Sequence, residues 1–218
     1  MNRRVALSLC TLAATLVLSG CFTGQRPSFN SDPLAQGVPT GDGAIDDVLS
    51  RLDLVTDGPA TGVYTVLTKF GMTTVSATVA LNRDRRVVEV GSVRYLDTGE
   101  QQLTCTLQTD TETVADCTVG FDPTRISDTG ITIDFYAAEA AKRLRRDAQA
   151  ELAPAVSHQE VIANQDATCV AVTLAGGTAT YCVLLNGMIA KLDDGDVTIT
   201  LGLLVPTVDG AKFQPPNP

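Results

Sequence analysis

The chain has 218 residues, 44% of them hydrophobic and 19% charged, which is enough for one folded domain with a core and too apolar for disorder throughout. Asp and Glu number 25 against 16 Lys and Arg, and that balance argues against a nucleic-acid partner, because a phosphate backbone selects basic faces. One histidine and no tryptophan leave little material for histidine-based catalysis or a histidine-rich metal site.

The first residues read as an address. Arg3 and Arg4 form a basic start, residues 5–18 are apolar, and Leu18-Ser19-Gly20-Cys21 closes the segment with small residues. The apolar run is shorter than the about 20 residues a membrane-spanning helix needs, so it reads as a signal sequence. Leu-Ser-Gly-Cys resembles the lipobox of bacterial lipoproteins. That resemblance implies lipid transfer to the Cys21 thiol and cleavage after Gly20. Residues 1–20 are then a lipoprotein signal peptide, and the Gly-, Pro- and Ser-rich stretch 21–43 a flexible tether. Residues 44–218 make the folded domain.

The expected location is the extracytoplasmic face of the cell membrane, held by acylated Cys21, or the outer membrane or periplasm in a Gram-negative host. Loss of Arg3 and Arg4 lowers the basic count from 16 to 14 against 25 acidic residues, a mature net charge of −11. Such a body is repelled by an anionic surface and stands off it.

Within the domain, Ile45, Val48, Leu49, Leu52 and Val55 share one helical face, predicting a helix over 42–55 that Gly58-Pro59 ends. Strands are predicted over 63–70, 72–81 and 86–95, the second with clear alternation of Val75, Ala77, Val79 and Leu81 against Thr74, Ser76 and Thr78. Segments 102–108 and 113–119 form a hairpin, and a Pro123-containing loop follows. Ala137, Ala141, Leu144, Ala148 and Leu152 then repeat at helical spacing over 135–152, where Pro154 stops the helix. Strands resume over 156–163, 167–175, 178–186 and 196–205, with Asn186-Gly187 and Asp194-Gly195 as hairpin turns. Strands, one helix, then more strands joined by hairpins specify an α+β fold: a single antiparallel sheet with helices on one face.

Six cysteines divide by position. Cys10 leaves with the signal and Cys21 is the lipid site, so Cys105, Cys117, Cys169 and Cys182 remain for an oxidising compartment. Three pairings are open to four cysteines, and the hairpins favour the local one. Cys105 opposite Cys117 centres one hairpin in its polar turn, and Cys169 opposite Cys182 centres the other near Gly176-Gly177. A zinc site built of close Cys-x-x-Cys pairs is absent, and no metal or cofactor is expected.

This element order resembles the LolA-like superfamily, which includes the outer-membrane lipoprotein carrier and the LprG-type lipoproteins. Phe213-Gln214-Pro215-Pro216 after a Val/Thr-rich strand, and Thr180-Tyr181-Cys182 followed by Asn186-Gly187, are similar to that group over residues 44–216. The four cysteines depart from the LprG-type pattern. The resemblance implies a curved half-barrel with helices on its concave face and an apolar cavity between them.

The small face of the second helix, Ala137, Ala141, Leu144 and Ala148, fits either close packing on the sheet or a wall of a ligand site, with packing the commoner role. Lys142, Arg143, Arg145 and Arg146 are a dense basic cluster that suits a solvated, salt-bridged face or contact with lipid-headgroup phosphates or an acidic partner. Ser157 and His158, as strand neighbours, point to opposite faces and form no dyad. Asp193-Asp194-Gly195-Asp196 fits a turn better than a calcium loop. The leading expectation is therefore a non-enzymatic lipoprotein that binds a lipid or other hydrophobic ligand. The alternative is a cell-envelope module with a packed core that binds a protein partner.

Overall fold

The computed structural model describes residues 32–54, 58–107, 116–120, 122 and 138–216. Pro33–Pro218 is one compact unit, and of the other unit, Met1–Asp32, Asp32 alone is among the described residues. The signal peptide, Cys21 and Ala137 lie outside them. Residues 33–43, expected as part of the tether, belong to the compact unit instead.

Hairpin chemistry organises the chain. Strands β1 (Ala60–Thr68), β2 (Thr73–Asn82), β3 (Arg85–Val90), β4 (Val93–Asp97), β5 (Gln102–Thr106) and β6 (Asp116–Val119) form one meander. A second comprises β7 (Val156–Ile162), β8 (Gln165–Leu174), β9 (Gly177–Leu184), β10 (Ile189–Asp193) and β11 (Val197–Val205). Pairing of β1 with β11 fuses them into one open antiparallel sheet in the order β6-β5-β4-β3-β2-β1-β11-β10-β9-β8-β7.

Two expected elements divide differently. The single strand over 86–95 is two, because Gly91 takes φ +57° and reverses the chain between β3 and β4. The second half holds five strands rather than four, β10 filling the interval between the Asn186-Gly187 and Asp194-Gly195 turns.

Helix α1 (Gly43–Leu52) starts where Asp42 accepts from the amides of Ala44 and Ile45 at 2.8 and 3.2 Å. The other Asp42 oxygen accepts from Ala155 N at 3.1 Å, pinning the helix start to the chain entering β7. Helix α2 (Ala138–Gln149) ends before the expected Leu152, which is exposed, lies in a bend and donates its backbone N–H to Thr173 O of β8 at 2.9 Å.

Register assigns the faces. Val66, Ile199, Leu192, Tyr181 and Val170 oppose one another across β1, β11, β10, β9 and β8 and share one face. All five are buried in one hydrophobic cluster with Ile45, Val48, Leu49 and Leu52 of α1 and Ala140, Ala141 and Leu144 of α2. Both helices therefore cover the same face. On the opposite face of the first meander, Ala80, Val87, Leu96, Leu103 and Cys105 form a second cluster closed by Phe213. The turn Gly210–Phe213 carries that ring, and Arg85 stacks over it at 4.8 Å.

Two glycines are required by close approach. A Cβ on Gly62 would lie 2.7 Å from the Tyr64 ring, and one on Gly187 (φ +83°) would lie 2.7 Å from Arg51 O. The first lets Tyr64 lie across β1 and donate its hydroxyl to Ile189 O at 2.9 Å; the second seats the β9–β10 turn against the end of α1.

Candidate functional site

The two cysteine hairpins close as disulfides. Cys105 and Cys117 oppose each other across β5 and β6, and Cys169 and Cys182 across β8 and β9, each pair with Cα atoms 4.0 Å apart. On the chain-entropy model each loop is worth about 3 kcal/mol.

The residues singled out on α2 enter the core. Leu144 is 0% exposed and Ala141 3%, while Ala148 is packed at the edge of the same cluster. Leu144 has no accessible surface, so its side chain is enclosed by protein on every side.

The basic cluster does not act as one surface. Arg145 is turned inward and 2% exposed, where its guanidinium pairs with Asp53 and its Nε donates to Val38 O at 3.0 Å. Asp53 also accepts from Gly37 N at 3.0 Å, so one ion pair joins α2, the end of α1 and the chain leading into the domain. Arg143 reaches Asp194 at 2.9 Å, leaving Lys142 and Arg146 exposed.

Around Arg143 the helix meets the sheet through polar groups. Tyr181 donates its hydroxyl to Asp147 at 2.6 Å. Burial pushes the Asp147 carboxyl up, more than the Tyr181 hydrogen bond and the nearby arginines pull it down, and Asp194 adds to the rise. Burial and the bond to Asp147 likewise push the Tyr181 phenol up, so it stays a protonated donor. Lys69, just past the end of β1, reaches Asp193 at 2.8 Å, and although burial works against it, the bonds from Lys69 and Thr198 hold that carboxyl below its ordinary value. Each of these side chains has a partner, and the cluster is a polar seam holding α2 to the β10–β11 turn.

The sheet ends differ sharply. Strand β6 is four residues long, whereas β7 runs for seven, Val156-Ser157-His158-Gln159-Glu160-Val161-Ile162, in continuous register with β8. Its turn, Ala163-Asn164, takes φ of +52° and +58°, the hairpin geometry that matches strand twist. Residues 156–159 and 161 are exposed, including Val156 at 65% and Val161 at 69%. An edge strand presents a row of backbone donors and acceptors, and proteins commonly protect it with lysine, proline, a bulge or brevity. β7 has none of these. Period-2 reading located the strand but not its edge position, which depends on which strands pair across the sheet.

No family model and no curated protein matches the sequence. Among solved structures, the crystal structure of MucB is similar over 80% of this chain and 63% of that one, at 10% identity and a TM-score of 0.45. The complex structure of Pseudomonas aeruginosa MucA/MucB is similar over 78% and 60%, at 12% identity and a TM-score of 0.40. The chain spans less than two thirds of the length of either.

Proposed function

We propose that the chain is an exported, non-catalytic envelope module of the LolA-like half-barrel kind, anchored through acylated Cys21, that binds an extended segment of a partner protein along β7. The observation that carries this reading is the seven-residue edge strand, which is exposed on both sides at residues 156–159 and 161 and contains no lysine, proline or bulge. Main-chain bonds to β7 supply affinity, and the exposed side chains at Val156, His158, Gln159 and Val161 supply discrimination.

The packed layer at Leu144 supports protein binding over the carriage of a hydrophobic ligand, which needs a concave apolar space under α2. The two disulfides suit an oxidising, extracytoplasmic site.

A photo-crosslinking residue in place of Gln159 or Val161 tests the reading in intact envelopes, with Ser76 on the interior strand β2 as the reference position. The expected result is one protein adduct formed from the β7 positions and absent from Ser76. Equal labelling from all three positions, or none, rejects it. Native mass spectrometry of the mature chain adds the other arm: a lipid that co-purifies in stoichiometric amount transfers the function to ligand carriage.

A further inference from the structure

On the face of the second meander away from the helices, register lines up Thr200, Lys191, Cys182, Cys169 and His158 across β11, β10, β9, β8 and β7. Glu160, two residues along β7, points to the same face and brings its carboxylate over the sulfurs. Its Oε2 lies 3.8 Å from Cys169 Sγ, 3.9 Å from Cys182 Sγ and 3.9 Å from His158 Nε2. The ligand atoms of His158, Glu160 and Cys169 all fall within 4.8 Å of one another. Bonded sulfurs carry no proton, so these are contacts around the disulfide rather than hydrogen bonds from it.

From this convergence we infer that the Cys169–Cys182 disulfide is the oxidised form of a zinc-class metal site whose ligands are Cys169, Cys182, His158 and Glu160. A tetrahedral ion with sulfur at about 2.3 Å and nitrogen or oxygen at about 2.0 Å spaces its ligand atoms by roughly 3.3–3.8 Å. The oxygen–sulfur and oxygen–nitrogen separations already stand within a few tenths of an ångström to about half an ångström of that. The disulfide bond itself is what keeps the two sulfurs together. Two thiolates, one carboxylate and a neutral imidazole around a divalent ion leave one negative charge, and Lys191, 3.9 Å from Glu160 Oε1, offsets it.

The exchange needs two reagents, a dithiol and the divalent ion, and balances with them. A dithiol of the disulfide-exchange class gives two hydrogens to Cys169 and Cys182 and leaves as its own disulfide. The divalent ion then displaces the two thiol protons and takes both thiolates. Both cysteines are buried, with Glu160 of β7 against their sulfurs, so access for the reductant requires displacement of that edge strand, which β8 alone holds among the described strands. Binding would pin β7 to β8 and β9 through the ion.

Cobalt(II) is the probe, added to the mature chain carrying Cys21→Ser, before and after reduction with a phosphine. The expected result is sulfur-to-cobalt charge transfer and tetrahedral visible bands in the reduced chain alone, at one ion per molecule. His158→Ala and Glu160→Gln should each weaken binding by about tenfold or more. Should the reduced chain lose its fold, Cys169→Ser decides the matter without reductant, since it leaves Cys182, His158 and Glu160 in place. No bands from either protein, or bands of unchanged strength in both the His158 and the Glu160 variants, overturn the inference.

Discussion

Asp147 shows how a single side chain can hold two elements together at a cost in charge. Its carboxyl is raised by burial, so the folded chain binds the proton more tightly than the unfolded chain does. Ionisation therefore disfavours folding as pH rises above the ordinary carboxylate range, and the penalty disappears on acidification below it. Asp147→Asn keeps an acceptor for the Tyr181 hydroxyl and removes the charge. Denaturant midpoints should show the variant equal to the parent in acid and more stable at neutral pH. Asp147→Ala instead leaves a buried phenol without its acceptor and should lose about 1–3 kcal/mol at both.

At the scale of elements, the helices are locked by one buried ion pair. Arg145 on α2 reaches Asp53 past the end of α1, and Asp53 also holds Gly37 N. Removing one member of a buried pair strands the other, so Arg145→Ala should cost about 3–5 kcal/mol, whereas exposed Lys142→Ala should cost well under one. Chemical unfolding of both variants checks the contrast. This feature also marks where sequence reading stops. Helical spacing placed Ala141 and Leu144 on an inner face, and turn-centred pairing found both disulfides, because each rests on local periodicity. Arg145 looked like its basic neighbours. Only the approach of Asp53 and Val38, 92 and 107 residues away in the chain, turns it inward. Gly91 read as part of a strand for the same reason, since a left-handed glycine leaves no mark on the pattern of apolar residues around it.

At the scale of the molecule, two meanders fused through β1 and β11 make an open sheet, and an open sheet has two edges. The row His158, Cys169, Cys182 was legible in principle from the Ala163-Asn164 turn, which fixes the register of β7 on β8. The exposure of β7 was not, because it follows from pairing between the first and last strands. The lipobox-like segment makes a separate claim about the whole chain: Cys21→Ser should abolish incorporation of labelled fatty acid while leaving the folded domain intact. Fatty acid retained by that variant would contradict the anchor.

The openness of β7 is most directly read by amide hydrogen exchange, resolved to single residues in the isolated mature chain. Amides of β7 that bond to β8 should exchange slowly, while those pointing the other way exchange at rates near those of unstructured chain. Slow exchange at both sets, equal to the interior of β8, would mean the edge is already covered and would contradict the account.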